Sequence, residues 1–103
     1  LATPISTAQL LAGKALAGAG EWAASLPHLL IAVEQNLPGE PIRPGRDAAT
    51  PLLGEALRAL GVSAYWAGLT DLARERLERA MALAAYEGER MTIEEFLARI
   101  RGG

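Results

Sequence analysis

Apolar residues along this chain recur three and four positions apart, and no segment alternates with the period of two that a half-buried strand needs. The spacing predicts a run of helices. In the first, over 6–18, Ser6 and Gln9 form a Ser-x-x-Gln capping box, Ile5 and Leu10 are placed as a hydrophobic staple, and Gly18-Ala19-Gly20 is the stop. Gly13 stands in its interior, where glycine costs about 1 kcal/mol relative to alanine. Close approach of a neighbouring helix accounts for it. In the second, Trp22, Leu26, Leu29, Leu30, Val33 and Leu37 share a face. Pro27 lacks a donor and clashes with the turn before it, so the helix is expected over 25–36, with Ser25 as N-cap and Pro27 in the first turn.

Pro38 to Asp47 holds three prolines and two glycines, which forbid a regular element and predict a crossover loop over 37–50. Arg43 and Arg46 could hold an anion there, but Glu40 and Asp47 stand beside them and no phosphate-cradling glycine pattern is present. Thr50-Pro51 then opens a third helix, over 51–67, with Leu53, Leu57, Leu60, Ala64 and Ala67 as its stripe. After a turn at Gly68-Leu69-Thr70, a fourth runs over 71–86, with Ala73, Leu77, Ala80 and Ala84 inward. Its opposite face is mixed in sign, pairing Glu75 with Arg79 and Arg74 with Glu78. Gly88 ends it. Thr92 and Glu95 make a second capping box, with Met91 and Phe96 as staple, for a last helix over 93–101. Its stripe of Ile93, Phe96, Leu97 and Ile100 must dock, because so short a helix is not stable alone in water. The destination is the chain's own core or a partner.

Composition agrees with helix. Half of the 103 residues are apolar, much of that half is alanine and leucine, and only 5% are aromatic. A chain of this length makes one domain that buries roughly two thirds of its unfolded surface. A net charge of -2, with neither half basic, gives no electrostatic case for nucleic acid or an acidic membrane. Zero cysteines removes disulfides, zinc-thiolate sites and thiol catalysis, and fits a cytoplasmic setting. Lys14, Glu21 and Glu34 interrupt the apolar N-terminal half, so no membrane span is expected. The start at Leu1 rather than Met suggests a processed or excised chain.

Few residues offer chemistry. Ser6, Ser25 and Ser63 share a single histidine, His28, and none lies in a nucleophile motif. His28 has no second histidine with which to bind a metal, and capping accounts for Glu94-Glu95. The expectation is a non-catalytic protein with no cofactor, no metal and no catalytic residue.

The central run Leu57-x2-Leu60-Gly61-x2-Ala64, then Ala73-x3-Leu77 and Ala80, resembles a tetratricopeptide hairpin, a 34-residue motif written Trp-x2-Leu-Gly-x2-Tyr, Ala-x3-Phe, Pro. The signature aromatics are smaller here, and Ala85 stands where proline would. Gly61 and Ala73 would let the two helices approach closely, sealed by Leu57, Leu77 and Ala80. The same frame fails over 20–53 and 88–103, so the resemblance covers 54–87 and implies a lone hairpin. A different use of these residues is a helix-turn-helix reader, with its turn at Leu60-Gly61-Val62-Ser63 and a recognition helix from Ala64 bringing Tyr65, Trp66 and Thr70 to DNA. No Lys or Arg lies between Arg58 and Arg74 to support it.

The reading is therefore an all-α compact bundle of about five helices, acting as a protein–protein interaction or assembly module, an adaptor or a self-associating subunit. Partners are another protein or further copies of the chain, with nucleic acid disfavoured. Trp22, Tyr65, Trp66 and Phe96 are the candidate anchors, since aromatics dominate interfaces when exposed. Ile93, Leu97 and Ile100 join Tyr65, Trp66 and Phe96 as candidate partner-binding residues. Trp66 lies off the Leu57–Ala64 stripe and so faces away from the hairpin partner.

Overall fold

A computed structural model describes residues 3–36, 50–83 and 87–102. All of its regular elements are helices: α1 (Thr3–Gly18), α2 (Trp22–Asn36), α3 (Thr50–Trp66), α4 (Thr70–Leu83) and α5 (Glu87–Gly102). The crossover loop, with Arg43 and Arg46, lies outside the described residues, as do Leu37, Ala84 and Ala85. The helices α1 and α2 pair as one hairpin and α3 and α4 as another; α2 then lies on α3, α4 on α5, and α1 and α5 meet α3 along narrow seams. The radius of gyration, 12.7 Å, is that of a compact domain of this length, about 13 Å.

Both hairpins are closed at their base by glycine. Gly13 faces Leu29, and a Cβ on it would lie 2.5 Å from Leu29 Cγ and 3.4 Å from Leu29 N. Gly61 faces Leu77 in the same way, at 2.6 Å from Cγ and 3.3 Å from the backbone N. The helices touch backbone to side chain at these two points, and a larger residue would hold them apart. Around the second contact Leu57, Leu60, Ala64, Ala73, Leu77 and Ala80 are buried, as the sequence predicts. Leu10, Leu29, Ala32 and Val33 extend the core into the first hairpin.

The two hairpins correspond at an offset of 48 residues. Gly13 and Gly61, Leu29 and Leu77, and Ala32 and Ala80 each stand 48 residues apart, as do the turn glycines Gly20 (φ 81°) and Gly68 (φ 86°). The turn hydrogen bonds repeat with the same offset. Gly20 N donates to Ala17 O and Glu21 N to Leu16 O; Gly68 N donates to Tyr65 O and Leu69 N to Ala64 O. This is the Schellman arrangement, in which a left-handed glycine lets its own N–H and that of the next residue satisfy the last carbonyls of a helix. The first hairpin shares the turn and the glycine contact of the second without its tetratricopeptide spacing: Gln9, Leu16 and Ser25 stand where the second has Leu57, Ala64 and Ala73. A frame of 34 residues does not align the two hairpins, because their corresponding residues stand 48 apart.

Several helix starts also differ from expectation. α1 begins at Thr3, so Ser6 lies inside it rather than capping it. α2 begins at Trp22 and carries Pro27 in its interior. Ser25 is not its cap: its N–H bonds Glu21 O at 3.0 Å and its Oγ donates to Trp22 O at 2.7 Å. Pro27 and Ala23, the residue whose carbonyl it leaves without an intrahelical donor, are both on the exposed side, where water can take that acceptor. Leu69 O accepts the first bond of α4, from Ala73 N, so Thr70 is the first helical residue and the helix starts one residue before the expected 71. α5 begins at Glu87, not after Thr92, and Gly88 belongs to its first turn. Thr92 Oγ1 bonds back to Gly88 O, Glu95 turns to Arg99, and Met91 is exposed rather than stapled to Phe96. On α4, Glu75 pairs with Arg79 as expected, but Arg74 pairs with Asp71.

Ser63 is fully buried and its Oγ has no hydrogen-bond partner. It lies two residues after Gly61, roughly 200° round α3 and so on the side away from α4. Ser63→Ala removes an unmet hydroxyl at almost no change in volume, and is expected to raise stability by about 1 kcal/mol. A urea midpoint equal to or below that of the parent would contradict this.

Candidate interaction surface

The aromatic residues gather at one place. Trp22 begins α2, Tyr65 and Trp66 end α3, and Phe96 lies midway along α5, so three helices each bring a ring to the same patch. Trp22 and Trp66 stack with centroids 6.1 Å apart, while Tyr65 meets Trp66 edge-on at 5.0 Å. Phe96 stands edge-on to both Tyr65 (5.3 Å) and Trp66 (6.1 Å). These are the offset and T-shaped geometries that ring quadrupoles favour.

A cation closes the group. The Arg99 guanidinium lies over Phe96 at 5.3 Å and Trp66 at 5.9 Å, within reach of a cation–π attraction. Glu95 holds it from one turn earlier at 3.0 Å. Ion pairs link helices further back along α3: Lys14 with Glu55 joins α1 to α3, and Arg58 with Glu89, at 3.6 Å, joins α3 to α5.

Burial sorts the candidates. Trp66 is 46% exposed, and Leu69 beside it in the turn is 46% exposed as well. Trp22, Tyr65 and Phe96 are half-buried. Ile93, Leu97 and Ile100 are buried in the chain's own core, so the stripe of α5 docks internally and these three are not free to meet a partner. Arg99 follows Phe96 by three residues, so helical spacing alone brings it near that ring; its place over Trp66 of α3 comes from the packing of α5 and is not legible in the sequence.

Reactive chemistry is sparse. His28 Nδ1 lies 2.7 Å from Gln9 Oε1, a contact that ties α2 to α1. Among the described residues no group of three His, Cys, Asp or Glu side chains could hold a metal ion, and no helix is long and apolar enough to cross a membrane. The Leu60-Gly61-Val62-Ser63 stretch is continuous helix within α3, so the turn that a helix-turn-helix reader needs is absent there. No family model, curated protein or solved structure matches the chain.

Proposed function

We propose that this chain is a non-catalytic protein–protein interaction module, built from two helical hairpins, of which the one over 54–87 is tetratricopeptide-like, and a closing helix, with Trp66 at the centre of its contact surface. The observation that carries the reading is Trp66 itself: a large ring left 46% exposed although three other rings and a guanidinium hold it in place. An anchor already fixed by its neighbours loses little side-chain freedom on binding, and tryptophan, tyrosine and arginine are the residues on which interface energy concentrates. Leu69 and Arg99 supply an apolar and a charged rim beside it. Support for the tetratricopeptide-like reading comes from the Gly61–Leu77 approach and the small residues Ala73 and Ala80. A cytoplasmic setting belongs to the same proposal and rests on the lack of cysteine.

Trp66→Ala tests it. The substitution removes three ring contacts, a cation–π contact and the burial of about half of the ring, so a stability loss of about 2–4 kcal/mol is expected. Parallel affinity captures with the parent and the variant, quantified by mass spectrometry, are expected to differ in at least one protein held by the parent and lost from the variant. Identical captures by two folded proteins would sink the assignment. A salt-sensitive shift of duplex DNA by the parent would point to nucleic acid instead.

A further inference from the structure

The last helix is bound differently from the other four. α1 and α2 touch through Gly13 and Leu29, and α3 and α4 through Gly61 and Leu77, where a larger residue at either glycine would collide with the facing leucine. Gly54 adds a third approach, since a Cβ on it would stand 3.5 Å from Leu83 Cβ. From Leu53 to Tyr65 no residue of α3 is exposed. The glycines of α5 make no such contact: a Cβ on Gly88 or Gly102 would meet nothing within 4 Å. Ile93, Leu97 and Ile100 are buried, Glu89 and Phe96 are half-buried, and every other residue of α5 is exposed.

The hydrogen bonds of Thr92, Arg99 and Arg101 stay inside the helix, going to Gly88 O, Glu95 Oε1 and Leu97 O. The Arg58–Glu89 pair crosses to α3, but at 3.6 Å and partly in water, where an ion pair contributes little. Beside the aliphatic stripe, the ring cluster holds α5: Phe96 stands edge-on to Tyr65 and Trp66, and Arg99 lies over Trp66.

We infer that α5 opens as a unit, undocking and unwinding while α1–α4 stay folded, with the Phe96–Trp66 contact as its clasp. Stability is not uniform across a fold, and elements with few buried apolar contacts open most readily. A helix of this length has little stability in water without its docking surface, so release and unwinding occur together. Opening bares the line of Arg58, Val62 and Tyr65 on α3. These residues lie one helical turn apart, and the outer two touch α5 through Glu89 and Phe96. Opening also takes Phe96 and Arg99 from Trp66, leaving that ring to Tyr65 and Trp22. The docked helix thus presents Trp66 as a fixed anchor, and the released helix does not. That consequence rests on the Trp66 surface being the binding site; the opening itself does not.

Hydrogen exchange of the full chain, followed amide by amide by NMR, reads the opening. Ile93–Ile100 in α5 are expected to be protected at least ~10-fold less than Leu57–Ala64 in α3. Their protection should also depend less on sub-denaturing urea, because a partial opening exposes less surface than global unfolding. Val33→Ala weakens the core of α2, which persists when α5 is open. It is expected to lower the protection of α3 by ~10-fold and leave that of α5 unchanged. Phe96→Ala loosens the clasp and is expected to lower the protection of α5 by ~10-fold. Equal protection and urea dependence in α5 and α3 would overturn the proposal, as would a Val33→Ala loss shared by α5. So would a Phe96→Ala variant whose α5 is protected as in the parent. Identical captures by Trp66→Ala and the parent would leave these exchange outcomes standing.

Discussion

Leu77→Ala is expected to destabilise the chain by about 3–4 kcal/mol, toward the upper part of the range for leucine truncation in a core. Leu77 is fully buried and sits over Gly61. Truncation therefore removes transfer energy and leaves a cavity whose floor is glycine, with no side chain to relax into it. Cavity cost rises with the volume that the surroundings fail to fill. For a domain of this size the loss is a large share of the roughly 5–15 kcal/mol that separates folded from unfolded states, and should lower the melting temperature by on the order of 15 °C. Leu29 stands over Gly13 in the first hairpin with the same burial, so Leu29→Ala should match it closely. Urea titrations of both variants check the pair. A loss under about 1 kcal/mol in Leu77→Ala would mean that α3 and α4 close over the gap, contrary to the cavity argument.

That pairing of leucine over glycine was half legible in the sequence. An interior glycine in an alanine-rich helix has a local cost, so Gly13 and Gly61 pointed to close helix contacts, and the stripe through Leu57 and Leu77 named the partner of Gly61. The correspondence of the two hairpins was not legible in the 34-residue frame. In the first hairpin Gln9, Leu16 and Ser25 stand where the second has Leu57, Ala64 and Ala73, so the two share mainly the glycines and the leucine and alanine of Leu29 and Ala32. Helix starts failed for a different reason. A Ser-x-x-Gln or Thr-x-x-Glu string reads the same at a cap and inside a helix, and Thr92 shows the inner use by bonding back to Gly88 O. At the candidate site, Trp66 could be picked out because it falls off the apolar stripe. Ile93, Leu97 and Ile100 could not be assigned, since an amphipathic stripe states that a face must be covered and not by what.

Gly61→Val should destabilise by about 3 kcal/mol, and its effect should reach the aromatic patch. A Cβ at residue 61 meets Leu77 Cγ at 2.6 Å and Cδ2 at 2.7 Å, and lies 3.3 Å from the backbone N. Cγ is not the free end of a side chain, and Leu77 is enclosed on every side, so the overlap must be relieved by moving α4 rather than by a rotamer change. Loss of the glycine favours the helix by less than about 1 kcal/mol, too little to offset the overpacking. As α4 moves outward, α5, which packs on it, goes with it and draws Phe96 away from Tyr65 and Trp66. The near-ultraviolet circular dichroism of the ring cluster should therefore fall while far-ultraviolet helicity holds. The milder Gly61→Ala provides the internal check. Combined with Leu77→Ala, it should cost less than the sum of the two, by roughly 1–2 kcal/mol, because the added methyl then enters the space that the leucine vacated. Strict additivity would place the two residues out of contact and remove the explanation offered here for why these helices pack as they do.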